Sequence, residues 1–351
     1  MKFYPLKVKD IRIETSDCVS IAFDIPPQYK EVFAFQQGQY LTLKTVINGE
    51  EIRRSYSLCT APAEGDVRVA IKQVTDGKFS TFANQKLRKG DTLDVMPPMG
   101  HFFTPLSQTH QKSYVFFAAG SGITPIISNI KAILTTEPQS ICTLIYGNQR
   151  VSTIIFKEEI EALKNKHLGR FQVFNVLSRE KTESDLLHGR LDKNKIAHFL
   201  DKIPSILRGD EFFACGPVDM IEAVKETLFA KEIDEKRLHF ELFNAPKTSP
   251  KKEVLAKTVN SHAQIKLDGL TIDVPIDKGQ NILDAAQMVG ADLPFACKGG
   301  VCCTCRAKLI AGEVEMQANY ALTKEEVAQG FILTCQALPK TEKIVVDFDI
   351  K

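Results

Sequence analysis

Four cysteines in the last sixty residues constrain this chain more than any other feature. Cys297, Cys302 and Cys305 stand at C-x4-C-x2-C spacing, and Cys335 follows thirty residues later. This is the spacing of plant-type [2Fe–2S] ligation, with three thiolates from one loop and a fourth from a distant point. A loop wrapped around a cluster needs backbone N–H groups aimed at sulfur. In Cys297-Lys-Gly-Gly-Val-Cys-Cys-Thr-Cys305, Gly299 and Gly300 are expected to supply the positive φ and close approach this requires. Zinc also takes four cysteines, but usually through paired C-x2–4-C knuckles, for which only Cys302 and Cys305 serve. Unbound thiols are the third reading. A disulfide framework is disfavoured by the odd count of nine cysteines and by an N-terminus, Met1-Lys-Phe-Tyr-Pro5, without a secretory signal. Cys303 reads as a spectator, because the spacing is complete without it. A cluster moves one electron at a time, so the chain is expected to handle electrons.

The rest of the composition narrows the class. A length of 351 residues suits two or three domains, each able to bury its own core. A formal net charge of +2 argues against a general nucleic-acid or membrane-surface binder. The most apolar stretch, Val115 to Ile127, is cut by Gly120, Ser121, Gly122 and Pro125 and is too short to span a bilayer. A reducing cytoplasm is the expected compartment, and no solenoid-type repeat is present.

Three segments follow along the chain, so the fold class is multidomain. Residues 1–108 carry six short β-branched runs (Val8–Ile13, Val19–Ile25, Gln39–Val46, Ile52–Leu58, Val67–Val74, Thr92–Met96) separated by turns such as Asn48-Gly49, which predicts a small antiparallel β-barrel. Over 109–242, runs at Ser113–Ala118, Cys142–Tyr146, Phe171–Leu177 and Glu211–Cys215 alternate with helical stretches near Ile126–Leu134, Lys157–Asn165, Lys193–Leu200 and Val218–Lys231. That alternation predicts an α/β domain with a parallel sheet. Residues 243–259, polar, basic and proline-bearing, read as a linker spanning roughly 20–25 Å as a flexible coil. From 260 to 351 a hairpin around Asp268-Gly269, a short helix with Ile282, Leu283, Ala286 and Val289 on one face, the cysteine loop and a closing strand near Ile344–Phe348 predict a compact α+β unit.

Several motifs add chemistry. Gly120-Ser-Gly-Ile-Thr-Pro125 follows a hydrophobic run and opens a helix. Its glycines let backbone pass close to a phosphate or flat ring, and Pro125 suits the first helical position. It lacks the last glycine of G-x-G-x-x-G and is weak alone. Cys215-Gly-Pro-Val-Asp-Met220 is a second strand-to-helix turn, and two such turns at one sheet edge outline a nucleotide crevice. Cys215 itself is either a small buried hydrophobe or a neighbour of the nicotinamide. Arg54-Ser-Tyr-Ser57 offers a cation, an aromatic face and a hydroxyl, with Arg54 and Tyr56 on one side of the strand. A flavin would use them as phosphate anchor, stacking plane and hydrogen-bond partner. Gly77-Lys-Phe-Ser80, a turn leading to a helix, suits a pyrophosphate. Val69-Ala-Ile-Lys72 matches the kinase strand-3 lysine pattern, but no H-R-D or D-F-G follows, so it is read as a barrel strand.

In order, Arg54-x-Tyr56-Ser57, Gly77-x-x-Ser80, Gly120-x-Gly122-x-Thr124-Pro125, Cys215-Gly216-Pro217 and the cysteine loop resemble the ferredoxin–NADP reductase superfamily. More narrowly, they resemble its flavin reductases fused to a C-terminal plant-type ferredoxin, and the likeness covers essentially the whole chain. Asp185-Leu-Leu-His-Gly-Arg-Leu191 and His239-Phe-Glu-Leu-Phe243 are most similar to the reductase subunits of ring-1,2-phenylacetyl-CoA epoxidases. The reductases of 3-ketosteroid 9α-hydroxylases are neighbours. The resemblance implies a flavin barrel, an NAD(P) domain and a β-grasp ferredoxin domain. It implies that Arg54, Tyr56 and Ser57 bind FAD, with Ser57 near flavin N5, that Gly77 and Ser80 cradle its pyrophosphate, and that Thr124 and Cys215 border the nicotinamide. Glu241 would sit near the flavin, or else be a solvated strand-end carboxylate. Ser178 and Arg179 resemble the pair that meets the 2′-phosphate of NADPH, while the adjacent Glu180 leaves NADH open.

Electron counting orders these parts. A hydride carries two electrons and the cluster accepts one, so a flavin that takes a pair and releases it singly belongs between them. Plant-type clusters near −400 mV are low enough to reduce most oxygen-activating iron centres. The expected function is an NAD(P)H-dependent oxidoreductase passing electrons from NADPH through FAD and [2Fe–2S] to an oxygenase or epoxidase partner, most specifically in phenylacetate catabolism. The alternatives are the reductase of a Rieske-type oxygenase such as 3-ketosteroid 9α-hydroxylase, a redox-sensing flavo-ferredoxin, and a zinc module on a flavoprotein.

Overall fold

A computed structural model of the chain describes residues 2–245 and 258–350. Most of the expected linker, residues 246–257, therefore lies outside the described residues. The chain divides into two compact units. One is Pro5–Ile52 with Tyr56–Phe243, and the other is formed from Asn244 onward with the short pieces Met1–Tyr4 and Arg53–Ser55.

The N-terminal sheet contains β1 (Tyr4–Thr15), β2 (Cys18–Asp24), β3 (Tyr40–Ile47), β4 (Glu50–Ser57), β5 (Val67–Lys72) and β6 (Thr92–Val95) in the order β4-β3-β6-β1-β2-β5. Leu58, one residue past β4, bridges antiparallel to Val69 of β5, and the Cys59 N–H reaches the Arg68 carbonyl at 2.9 Å. The first and last strands of the order are thereby joined, and the sheet closes as a barrel. Helix α1 (Lys78–Gln85) follows β5 and buries Phe79 and Ala83.

The second sheet is all parallel: β7 (Ser113–Ala119), β8 (Ile141–Asn148), β9 (Phe171–Leu177), β10 (Glu211–Cys215) and β11 (Leu238–Glu241), ordered β11-β10-β7-β8-β9. Helices α2 (Ile123–Thr136), α3 (Lys157–Lys166), α4 (Lys193–Lys202) and α5 (Val218–Ala230) connect the strands. Alternation along β7 explains the two-faced burial. Tyr114, Phe116 and Ala118 enter one core with Ile123, Ile126 and Ile127 of α2. Val115 and Phe117 enter the other with Leu200 of α4 and Val224 of α5. The helix expected at Ile126 begins three residues earlier, so Pro125 is its third residue rather than its first. Its missing N–H still falls among the four that no helix can satisfy internally.

In the second unit, β12 (Ser261–Leu267) and β13 (Leu270–Ile276) form the expected hairpin. With β14 (Arg306–Ala311), β16 (Phe331–Leu333) and β18 (Lys343–Asp347) they make a mixed sheet ordered β13-β12-β18-β14-β16. A separate two-stranded ribbon joins β15 (Val314–Met316) to β17 (Ala337–Pro339). Helix α6 (Ile282–Met288) buries Ile282, Leu283, Ala285 and Ala286. Val289, expected on that face, lies beyond the helix end and is 47% exposed. Short α7 (Lys324–Ala328) is held by a Thr323/Glu326 capping box. Among the described residues, no helix is long and apolar enough to cross a membrane.

Phe213 is a packing hub of the first unit. It is fully buried, with the rings of His239, Phe116 and Phe102 at 4.4, 5.2 and 5.3 Å. Phe213→Ala should cost about 3–5 kcal/mol, read as a lower urea midpoint of the flavin-and-nucleotide unit.

Candidate functional site

The strand order of the parallel sheet reverses between β7 and β10, so the carboxyl ends of these neighbours form a switch-point crevice. Both glycine turns lie there. Gly120 has φ +53° and receives the Tyr146 hydroxyl on its carbonyl at 3.0 Å. A Cβ on Gly122 would stand 2.0 Å from the Cys215 carbonyl oxygen and 2.7 Å from the Gly216 nitrogen. A Cβ on Gly216 would stand 2.7 Å from Met220 Cε and 3.2 Å from Ala119. The two turns therefore pack backbone against backbone, which side chains at either position would prevent. Thr124, on the first turn of α2, is buried and donates its hydroxyl to Ser121 O at 3.1 Å. Pro217 caps α5.

Cys215 ends β10 and pairs in register with Glu241, the last residue of β11. Burial, reinforced by the Glu241 carboxylate, pushes the Cys215 thiol well above its ordinary value, so it is a neutral S–H rather than a nucleophile. Glu241 is half-buried, and burial of its carboxyl group raises it to about 8, against the opposing hydrogen bond from Ser57. That bond runs from Ser57 Oγ, at the end of β4, to Glu241 Oε2 at 3.2 Å. Glu241 is thus a half-buried carboxyl with a raised affinity for its proton. Barrel strand, nucleotide turn and terminal strand meet through Ser57, Cys215 and Glu241.

On β4, Tyr56 and Arg54 alternate with buried Arg53 and Ser57. Arg54 is exposed, and its Nη1 donates to the Arg53 carbonyl at 2.7 Å. The Tyr56 ring lies 5.5 Å from that of Phe79 in α1. Gly77 is the N-cap of α1, where a Cβ would fall 2.4 Å from Ser80 Oγ. Ser80 is itself buried; its hydroxyl accepts from the Val74 N–H (3.2 Å) and donates to Gly77 O (3.1 Å). Ser80 therefore shapes this loop from inside. The first turn of α1 has no side-chain cap, and such uncapped N–H groups suit an anion. At the far edge of the sheet, Ser178 donates its N–H and its hydroxyl to Asn148 O, and the N–H of exposed Arg179 reaches Gln149 O at 2.9 Å. Glu180 Oε2 accepts the Val151 N–H at 2.9 Å.

In the second unit the four cysteine sulfurs come as two pairs. Cys302 donates its thiol to Cys297 Sγ at 3.1 Å, and Cys305 pairs with Cys335. Cys297 is held down at about 6 by the Cys302 thiol and by the N–H groups of Gly299, Val301 and Cys302; Cys335 is lowered chiefly by Cys305. Among the described residues no three metal-ligating side chains gather around a single-ion site. Two pairs are the division that two irons need, whereas a four-cysteine zinc centre needs one convergence point. Paired thiols, one of each pair lowered by its neighbour and the other raised, and N–H groups aimed at sulfur fit a [2Fe–2S] group. The positive φ values fall on Lys298 (51°) and Gly300 (75°), not on Gly299. The Gly299 contribution is its N–H, 3.3 Å from Cys297 Sγ. Cys303 turns its thiol to the Ala321 carbonyl at 3.3 Å. Sequence reasoning missed Gln336, whose side chain bonds Lys298 O at 2.9 Å, and Tyr146; the only signal was adjacency to Cys335 for the former and none for the latter.

Three domain families match in succession: the oxidoreductase FAD-binding domain at residues 5–104, the oxidoreductase NAD-binding domain at 116–226 and the 2Fe-2S iron-sulfur cluster binding domain at 265–340. The chain is 41% identical over 350 residues to a subunit of the 1,2-phenylacetyl-CoA epoxidase of Escherichia coli (strain K12), covering 99% of this chain and 98% of that protein. The chain belongs to the ferredoxin–NADP reductase superfamily, in the branch with a C-terminal plant-type ferredoxin domain. A second relative in this branch is the ferredoxin reductase component of 3-ketosteroid-9-alpha-monooxygenase of Rhodococcus rhodochrous, 31% identical over 98% of this chain and 96% of that one. The solved structure of phthalate dioxygenase reductase has the same fold, with a TM-score of 0.59 and 21% identity over 99% and 98% of the two chains. As a superfamily member the chain is an NAD(P)H-dependent oxidoreductase with FAD-, NAD- and [2Fe–2S]-binding domains.

The raised Glu241 carboxyl has a pH signature. Between the ordinary value of 4.5 and about 8 the folded chain holds a proton that the unfolded chain releases. Its contribution therefore lowers stability as pH rises through that window. Glu241→Gln should flatten this fall, measured as urea midpoints across pH 5 to 9.

Proposed function

We propose that this chain is the reductase that supplies electrons from NADPH to an oxygenase component, and specifically to a phenylacetyl-CoA epoxidase in phenylacetate degradation. The observation that carries the electron-transfer reading is the meeting of Ser57, Cys215 and Glu241 beside two interlocked glycine turns. The choice of partner rests on the end-to-end likeness to a protein of an epoxidase complex. In this reading the domains run 1–108 (FAD), 109–242 (NAD(P)) and 260–351 (ferredoxin), joined by 243–259, in a reducing cytoplasm where the thiols outside the cluster stay reduced.

Bound FAD supplies conversion of a hydride pair into single electrons, which the [2Fe–2S] cluster relays onward. The residues of this chain do the rest. Arg54 anchors phosphate, Tyr56 offers a stacking plane, and Ser57 holds the flavin edge. Gly77, where a Cβ would strike Ser80 and Val74, lets the loop close tightly at the start of α1, where the pyrophosphate would lie, and Ser80 keeps that loop in shape. Gly120, Gly122, Pro125, Gly216 and Pro217 shape the crevice in which Thr124 and Cys215 border the nicotinamide. Glu241 keeps its proton at neutral pH, so no negative charge stands where hydride arrives. Cys297 with Cys302, and Cys305 with Cys335, would hold the [2Fe–2S] cluster.

Ser178 and Arg179 receive the 2′-phosphate of NADPH. Glu180, the acid that would favour a free ribose hydroxyl, has a carboxylate oxygen committed to the Val151 N–H. Arg179→Ala should raise the KM for NADPH about tenfold and leave that for NADH nearly unchanged, because only the former loses a charge-assisted contact.

Mixing the holoprotein with the oxygenase components of a phenylacetyl-CoA epoxidase and of a 3-ketosteroid hydroxylase tests the partner. NADPH oxidation coupled to product should occur with the epoxidase, and coupling with the steroid enzyme alone overturns the assignment. Cys335→Ser should abolish that coupling, with loss of iron and sulfide but retention of FAD reduction by NADPH. Cys303→Ser should keep iron, sulfide and coupling.

A further inference from the structure

Helix α2 is buried on every side from Ile123 to Leu134, yet beyond Thr124 on its first turn it carries three further polar residues, Ser128, Asn129 and Lys131. A helix enclosed all round is ordinarily apolar, so buried polar groups need specific partners. Each of the three finds its partner on the main chain of the flavin barrel. Ser128 Oγ donates to Thr60 O at 2.7 Å and accepts the Gly38 N–H at 3.2 Å. Asn129 Nδ2 donates to Phe102 O at 2.9 Å and to Pro125 O within its own helix. Lys131 Nζ donates to Cys59 O at 3.0 Å and pairs with Glu64 on the barrel side and Glu159 of α3. The seam is too close for side-chain bulk at Gly38, where φ is +76° and a Cβ would lie 2.0 Å from Phe102 O and 2.5 Å from Asn129 Nδ2.

The placement of these bonds matters more than their number. The first turn of α2 bears Thr124, at the nicotinamide crevice. One and two turns later the same helix grips Thr60 through Ser128 and Cys59 through Lys131, the third and second residues after Ser57, just past the end of the strand β4. One rigid helix thus spans from the nucleotide turn to the flavin strand, with directional bonds at both ends. We propose that Ser128, Asn129 and Lys131 are positioning residues for hydride transfer, setting the placement of the nicotinamide turn against the β4 end of the barrel. This rests on the roles proposed above for Thr124 and Ser57.

The test is stopped-flow reduction of FAD by NADPH in the full holoprotein, comparing the parent with Ser128→Ala and Lys131→Met, each normalised to bound FAD. A misplacement of about 1 Å costs on the order of a hundredfold in rate, so the limiting rate per flavin should fall about 10- to 100-fold. The half-saturating NADPH concentration should stay within about threefold, because binding contacts are untouched. The isotope effect with NADPH deuterated at C4 should become fully expressed, a change that mere loss of stability would not produce. Limiting rates within about twofold of the parent in both variants overturn the proposal. If one variant loses FAD the other decides, and loss of FAD from both also overturns it, since the seam would then be an assembly element. A parent whose flavin NADPH does not reduce would overturn the underlying reading instead.

Discussion

The contact of Gly122 with the Cys215–Gly216 peptide is the constraint on which the rest of the flavin-and-nucleotide unit depends. The carbonyl carbon of Cys215 lies 2.4 Å, and its oxygen 2.0 Å, from where a Cβ on Gly122 would stand, so the two turns share one narrow space. That contact exists because β7 and β10 are adjacent parallel strands ending at the same level, with Ala118 opposite Cys215. β11 extends the edge by one strand and delivers Glu241 opposite Cys215. From a single backbone approach follow the crevice, its acidic border and the start of α2.

Charge is managed in opposite directions in the two units. In the first, burial keeps Cys215 and Glu241 neutral, which suits a place where a hydride and its negative charge arrive. In the second, hydrogen bonds from neighbouring thiols and N–H groups favour the thiolate at Cys297 and Cys335, which suits binding of positively charged iron. The same residue type is thus held neutral in one place and drawn toward thiolate in another. Local donors, rather than the thiol itself, make the difference.

Much of this was legible in the amino-acid order. β-branched runs between turns located all six barrel strands within a few residues, although β2 and β5 are buried along nearly their whole length rather than on one face. Four of the five parallel strands, β7 to β10, were equally plain, being short apolar runs between amphipathic helices. Strands β14 to β17 were not, since they are short and carry no clean alternation around the cysteine loop. The positive φ at Lys298 was also hidden, because a lysine there is held by its surroundings: its Nζ reaches Asp284 and Gln287, and its carbonyl accepts from Gln336. The polar seam on α2 escaped for a related reason. Ser128, Asn129 and Lys131 look like an exposed helical face until the barrel main chain is brought against them.

Local order along the chain determined the element types, the glycine turns and the cysteine spacing, because these depend on side chains a few residues apart. Tertiary structure alone decided that Ser57 bonds Glu241 and Lys131 bonds Cys59, and how the four cysteines divide into pairs. It also decided protonation, since whether a carboxyl such as Glu241 keeps its proton depends on burial supplied by segments nearly two hundred residues away. Spacing in sequence sets what a residue can do, and the dielectric and partners that folding brings to it set what it does.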